Sequence, residues 1–126
     1  MFEGAGATLP ASDMARAKAF YRDKLGLEPV QETPDGGARY QIGEHAFMVY
    51  PSEFAGTNQA TAMMLAVADA GAAVNELRGR GVTFQDLEYG DMRTVDGVMD
   101  MPDGAKAAWF ADSEGNTIGV FQEPPN

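Results

Sequence analysis

Few residues in this chain are equipped for chemistry. There is one histidine, His45, in the segment GEHAF, and there is no cysteine. Thiolate zinc sites, iron–sulfur clusters, disulfides and cysteine nucleophiles are therefore excluded together. One imidazole could join carboxylates at a metal, but a multi-histidine site within one chain is impossible. No G-x-S-x-G elbow, phosphate loop or dinucleotide fingerprint occurs. The glycines of GAGATL precede their strand and open no helix. Asp100 and Asp103 flank Pro102 and stand beside Gly104, which reads as a turn rather than a catalytic pair. The polar groups that could edge a site are Tyr40, His45, Tyr50, Tyr89, Asp91, Arg93 and Asp96. A tyrosine or an acid among them could donate a proton, but no residue is assigned as catalytic.

These groups need a scaffold. The chain has 126 residues with 44% hydrophobic content, enough for one domain with a core. Its formal charge of −10 argues against a nucleic-acid partner. No apolar run approaches the length of a membrane span, and MFEGAGATLP lacks the character of a signal peptide. The expectation is a cytoplasmic protein with neither nucleic acid nor membrane as partner.

The chain repeats its own grammar. Leu9-Pro-Ala-Ser-Asp13 leads into MARAKAFYRDKLG, and Leu65-Ala-Val-Ala-Asp69 leads into AGAAVNELRGRG. In each half a short strand ends at an acid that can cap the following helix. Met14, Ala17, Tyr21 and Leu25 share one helical face, as do Ala70, Ala73, Val74 and Leu77. Further strands are expected at Glu28–Thr33, Ala38–Ile42 and Ala46–Tyr50. In the second half they are expected at Thr83–Leu87, near Val98–Met101, at Lys106–Phe110 and at Thr117–Gln122. The 88–104 segment reads equally well as a lid or as a strand with long turns. The pattern is βαβββ, twice, in a single domain over 1–126 whose halves are about 1–55 and 56–126.

SDMARAKAFYRDKLGLE and VADAGAAVNELRGRGV resemble the two strand–helix signatures of the vicinal oxygen chelate superfamily. This is the glyoxalase, bleomycin-resistance and extradiol-dioxygenase group. AAWFADSEGNTIGVFQ is similar to its last hairpin, usually written Asp-Pro-Asp-Gly-Asn, with Ser113 and Glu114 here in place of Pro and Asp. The resemblance implies an α+β fold of two βαβββ modules whose curved mixed sheets surround a cavity. It also implies a homodimer. Metal-dependent members carry ligands seven residues before each strand-ending Asp and three after the hairpin Asn. Those positions are Gly6, Ala62 and Gly119 here, with Phe47 as the fourth by repeat alignment. None offers a side-chain donor. The adjoining Ala5, Ala7, Thr61, Met63, Ile118 and Val120 supply only one poor one. The resemblance therefore implies no metal and no other cofactor.

Gly119 stands inside a strand, where glycine marks either close packing or an opened cavity floor. If Gly6, Ala62 and Gly119 point inward, alternation turns Thr8, Met64, Ala66, Thr117 and Phe121 the same way. The ligand-binding candidates are Phe47, Val49, Tyr50 and Met64, together with Trp109, Gly119 and Phe121. Such a lining suits a small apolar or aromatic molecule. The expected function is metal-free binding of that molecule, as sequestration or metabolite binding. The alternatives are an enzyme of the glyoxalase, epimerase or dioxygenase type, and a structural or partner-binding dimer module.

Overall fold

A computed structural model describes all 126 residues. The chain divides into two compact units. The first comprises Met1–Ala62 with Asp112–Asn116, and the second comprises Met63–Ala111 with Thr117–Asn126. A short turn from the second half, Asp112–Asn116, belongs to the first unit.

In the first unit, β1 (Ala7–Ala11) leads to α1 (Met14–Leu25), followed by β2 (Gln31–Glu32), β3 (Ala38–Ile42) and β4 (His45–Pro51). The sheet order is β1-β4-β3-β2, with β1 parallel to β4 and the other pairs antiparallel. Asp13 caps α1 by accepting from the amide of Arg16 at 3.0 Å. The helix buries Ala17 and Tyr21. Against them pack Leu9, Ala38, Tyr40, Phe47 and Val49, all at most 5% exposed. The rings form one cluster. Tyr40 stacks on Phe47 at 5.1 Å between centroids, and Tyr21 lies 5.2 Å from Tyr40 and 5.9 Å from Phe47. Burying each such ring contributes on the order of 2 kcal/mol.

In the second unit the sheet has six strands. They are β5 (Thr61–Ala66), β6 (Glu88–Tyr89), β7 (Met92–Val95), β8 (Val98–Asp100), β9 (Lys106–Ala111) and β10 (Thr117–Gln122), with α2 (Ala70–Gly79) after β5. Their order is β5-β10-β9-β8-β7-β6. Asp69 caps α2 through the amide of Ala72, and the Gln122 side chain accepts from the amide of Ala70. The core on the helix side holds Val74, Val82, Phe84, Ala108, Phe110, Ile118 and Val120. Phe84 meets Phe110 edge-on at 5.6 Å.

The 88–104 segment is sheet, not a lid. β6, β7 and β8 form successive hairpins that extend the sheet beyond β9. The β7–β8 loop is Asp96-Gly97, with both residues at positive φ (54° and 85°) and the Val95–Val98 pair flanking it. Positive φ at both loop positions matches the twist of a two-residue hairpin, and Asp-Gly is a favoured pair for it. The stretch expected as a strand at Thr83–Leu87 contributes only a single bridge, Phe84 to Phe110. The Gln85 amide also donates to the Trp109 carbonyl at 2.8 Å, and after Glu88–Tyr89 a glycine turn folds the chain back onto β7.

Candidate functional site

Each sheet has one face toward its helix and one face away from it. Burial and register assign every strand residue to a face. In β4, Phe47 and Val49 are buried in the α1 core. They face α1 and not the helix-free side of the sheet. Ala46, Met48 and Tyr50 alternate with them and take that face. Across the sheet Met48 pairs with Thr8 on β1 and Arg39 on β3, and Tyr50 pairs with Pro10.

The reason is a turn length. Ile42 pairs with His45 across a two-residue loop, whereas Ala111 pairs with Thr117 across the five residues Asp112–Asn116. Buried Phe47 and Val49 therefore correspond to buried Ile118 and Val120. The counterpart of Gly119 is Met48, not Phe47. Tyr40, expected at the rim, is also in the core at 1% exposure. Its hydroxyl has no hydrogen-bond partner in the protein. Burial pushes its pKa up to about 12, with Glu28 and Glu32 adding to the rise. His45 and Tyr89 are exposed at strand positions, and Asp96 pairs with Arg78 at 3.2 Å.

On the second unit the structure does bring the candidates together. Ile118 and Val120 face α2, so Thr117, Gly119 and Phe121 take the opposite face. Gly119 pairs with Trp109 and Phe121 with Ala107, which in turn pairs with Met99. A Cβ built on Gly119 would overlap the Sδ of Met64 and lie 2.9 Å from its Cε and 3.1 Å from the Nε1 of Trp109. Gly119 is therefore a place of close packing. The missing side chain leaves room for a thioether and an indole to lie against the sheet. Met64 itself is 42% exposed. The methionines Met99 and Met92 on this face were not singled out from the sequence. Only the hairpin registers of β7–β8 and β8–β9 reveal them.

A divalent cation does not fit these side chains. No three His, Cys, Asp or Glu residues form a group that could hold a metal ion. The helix-free positions nearest the expected ligand set are Gly6, Ala46, Met48, Ala62 and Gly119, none a hard donor. The first unit carries an open depression of about 440 Å³ lined by Ala11, Ser12, Pro51, Ser52 and Glu53, with no aromatic wall.

The densest polar cluster holds the fold. Glu114 accepts from the amides of Ser12 and Asp13 at 3.0 Å each, and from Arg16 Nε at 2.8 Å. Ser113 donates its hydroxyl to the same carboxylate at 2.8 Å. Burial alone would push the Glu114 pKa up. Arg16, Ser113 and the Asp13 amide outweigh burial and hold it well below the ordinary value of 4.5, at about 2. A depressed folded-state pKa adds stability above the unfolded value, and that stability is lost as pH falls toward 2. With Arg16 half exposed, the contribution is about 2 kcal/mol. Urea unfolding should show the gap between the wild type and Glu114→Gln narrowing by that amount from pH 5.5 to pH 2.

The architecture is that of an α+β protein of paired strand–helix–strand modules with open mixed sheets. The chain belongs to the Glyoxalase/Bleomycin resistance protein/Dioxygenase superfamily, whose pattern it matches over residues 5–120. Among solved structures it is similar to a glyoxalase/bleomycin resistance protein from Catenulispora acidiphila. That pair shares 25% identity over 96% of this chain and 98% of the other, with a TM-score of 0.69. It is also similar to the bleomycin-binding protein of Streptomyces verticillus, solved with copper(II)-bleomycin, at 24% identity over 98% of both chains and a TM-score of 0.70. The lactoylglutathione lyase of Agrobacterium tumefaciens follows at 20% identity, covering 95% and 92%, with a TM-score of 0.67. No curated protein matches the chain.

Proposed function

We propose that this protein binds a small apolar or aromatic molecule without the help of a metal ion, as a sequestering or metabolite-binding protein. The observation that carries this reading is the surface over Gly119, where Met64 and Trp109 lie against the sheet face opposite α2. Phe121 continues that surface along β10. A methionine and aromatic platform gives adaptable, sequence-tolerant contact to flat molecules. The relative from Streptomyces verticillus, which was solved with a bleomycin, lends the reading support from the same superfamily.

An enzyme of the glyoxalase type would need a titratable or metal-bound group at this face. The side chains around Gly119 are Met64, Trp109, Thr117 and Phe121, none of which titrates near neutral pH. The chain is taken to act as one domain and as a homodimer in the cytoplasm. Native mass spectrometry of freshly purified protein, with metal analysis on the same sample, tests the proposal. The expected species is a metal-free dimer carrying a small organic adduct. Stoichiometric metal retained through chelator washing would overturn the metal-free reading and direct attention to isomerase or dioxygenase assays.

A further inference from the structure

Resting on that reading, we propose that Met64 is a displaceable plug that sets which ligands the platform admits. In the free protein its thioether occupies the space left by Gly119 and lies beside the Trp109 indole. A flat ligand that stacks there must first move it aside.

The surroundings allow that motion. Met64 stands on β5, the end strand of its sheet, so only β10 flanks it within that sheet. Its same-face neighbours along the strand, Ala62 and Ala66, are too small to brace it. Methionine is unbranched and has three rotatable side-chain bonds, which lowers the cost of swinging off the floor. What is exposed when it leaves is a glycine floor beside an indole edge.

That edge has a chemical preference. The indole N–H is a donor only, and its nitrogen lies beside the space over Gly119, 3.1 Å from where a Cβ would stand. The ligand class is therefore a flat, uncharged or cationic aromatic that carries a hydrogen-bond acceptor, such as a carbonyl or ring nitrogen, at its edge. The net charge of −10 disfavours anionic aromatics.

The test uses the full-length protein and Prodan, a neutral naphthalene dye bearing a ketone. Trp109 is the only tryptophan, so its emission reports binding at this face. Methyl-labelled methionine gives Met64 its own NMR signal, identified by its loss in Met64→Ala. In the free protein the ring current of Trp109 should displace that signal. At saturation with Prodan it should move to the position of a freely rotating methionine. Met64→Ala should bind Prodan about fivefold more tightly, as expected if the open arrangement is a minor one in the wild type. Binding to Met64→Ala alone would also support the plug. Quenching of Trp109 with the Met64 signal unmoved, and affinity within twofold in Met64→Ala, would overturn the plug and leave the binding reading intact. No binding to either protein would overturn both.

Discussion

Asp112→Ala is expected to lower the unfolding free energy by about 4 kcal/mol, the largest stability effect of any single substitution outside the apolar core. Asp112 is 6% exposed and uses both carboxylate oxygens. One oxygen accepts from the amides of Glu114 and Asn116, each at 2.9 Å, and so closes the turn. The other accepts from the Asn116 side chain at 2.9 Å and from the buried Tyr21 hydroxyl at 2.7 Å. Burial, and then the negative charge of Asp112, raise the Tyr21 pKa far above its ordinary value, so the phenol stays a donor. Alanine would leave that phenol and two amides without partners in a site closed to water, each costing about 1–3 kcal/mol less whatever relaxation recovers. It would also loosen Glu114 and Asn116, and Asn116 donates to the Pro10 carbonyl at 2.9 Å. Asp112→Asn keeps an acceptor and should lose about half as much. Tyr21→Phe removes the buried hydroxyl with its need for a partner and should cost about 1–2 kcal/mol. Urea unfolding of the three variants and the Asp112→Ala/Tyr21→Phe double variant gives the coupling directly. A loss below 1 kcal/mol for Asp112→Ala would show that the turn is held by something else.

Gly119→Phe is expected to reduce ligand affinity at least a hundredfold while the protein stays folded. A single added carbon already meets the Met64 thioether and the Trp109 nitrogen. A phenyl ring would push both away and occupy the floor on which a flat ligand is to lie. The adjoining Ile118 and Val120 point to the α2 side and keep their burial, so the cost to stability is that of local overpacking, about 1–3 kcal/mol. Gly119→Ala should fall between, because a methyl raises the floor under the ligand less than a phenyl ring does, and the Met64 thioether it meets can swing away. Trp109 emission titrated with Prodan, alongside the unfolding midpoint, measures both effects. Unchanged affinity in a folded Gly119→Phe protein would remove the ligand from this face.

Strand alternation and helix capping are local properties, and they were legible residue by residue. Asp13 and Asp69 cap the helices that follow them, and Ala38–Ile42 and Thr117–Gln122 are strands with the expected bounds. Thr117, Gly119 and Phe121 share a face because parity along one strand follows from the strand itself, whereas the face of Trp109 is set by its register with Gly119 across the hairpin.

Parity between repeats could not be carried over in the same way. Phe47 was aligned with Gly119 through their turns, yet one turn has two residues and the other five. A change of one in the offset reverses a strand's faces. The aromatic packing of Phe47 on Tyr40 and Tyr21 decides which face is buried. By itself the sequence determined the repeat and the caps, since these need only residue type and spacing. The tertiary structure alone decided what occupies the space over Gly119. The occupant, Met64, comes from a strand more than fifty residues away, and no local pattern encodes that contact.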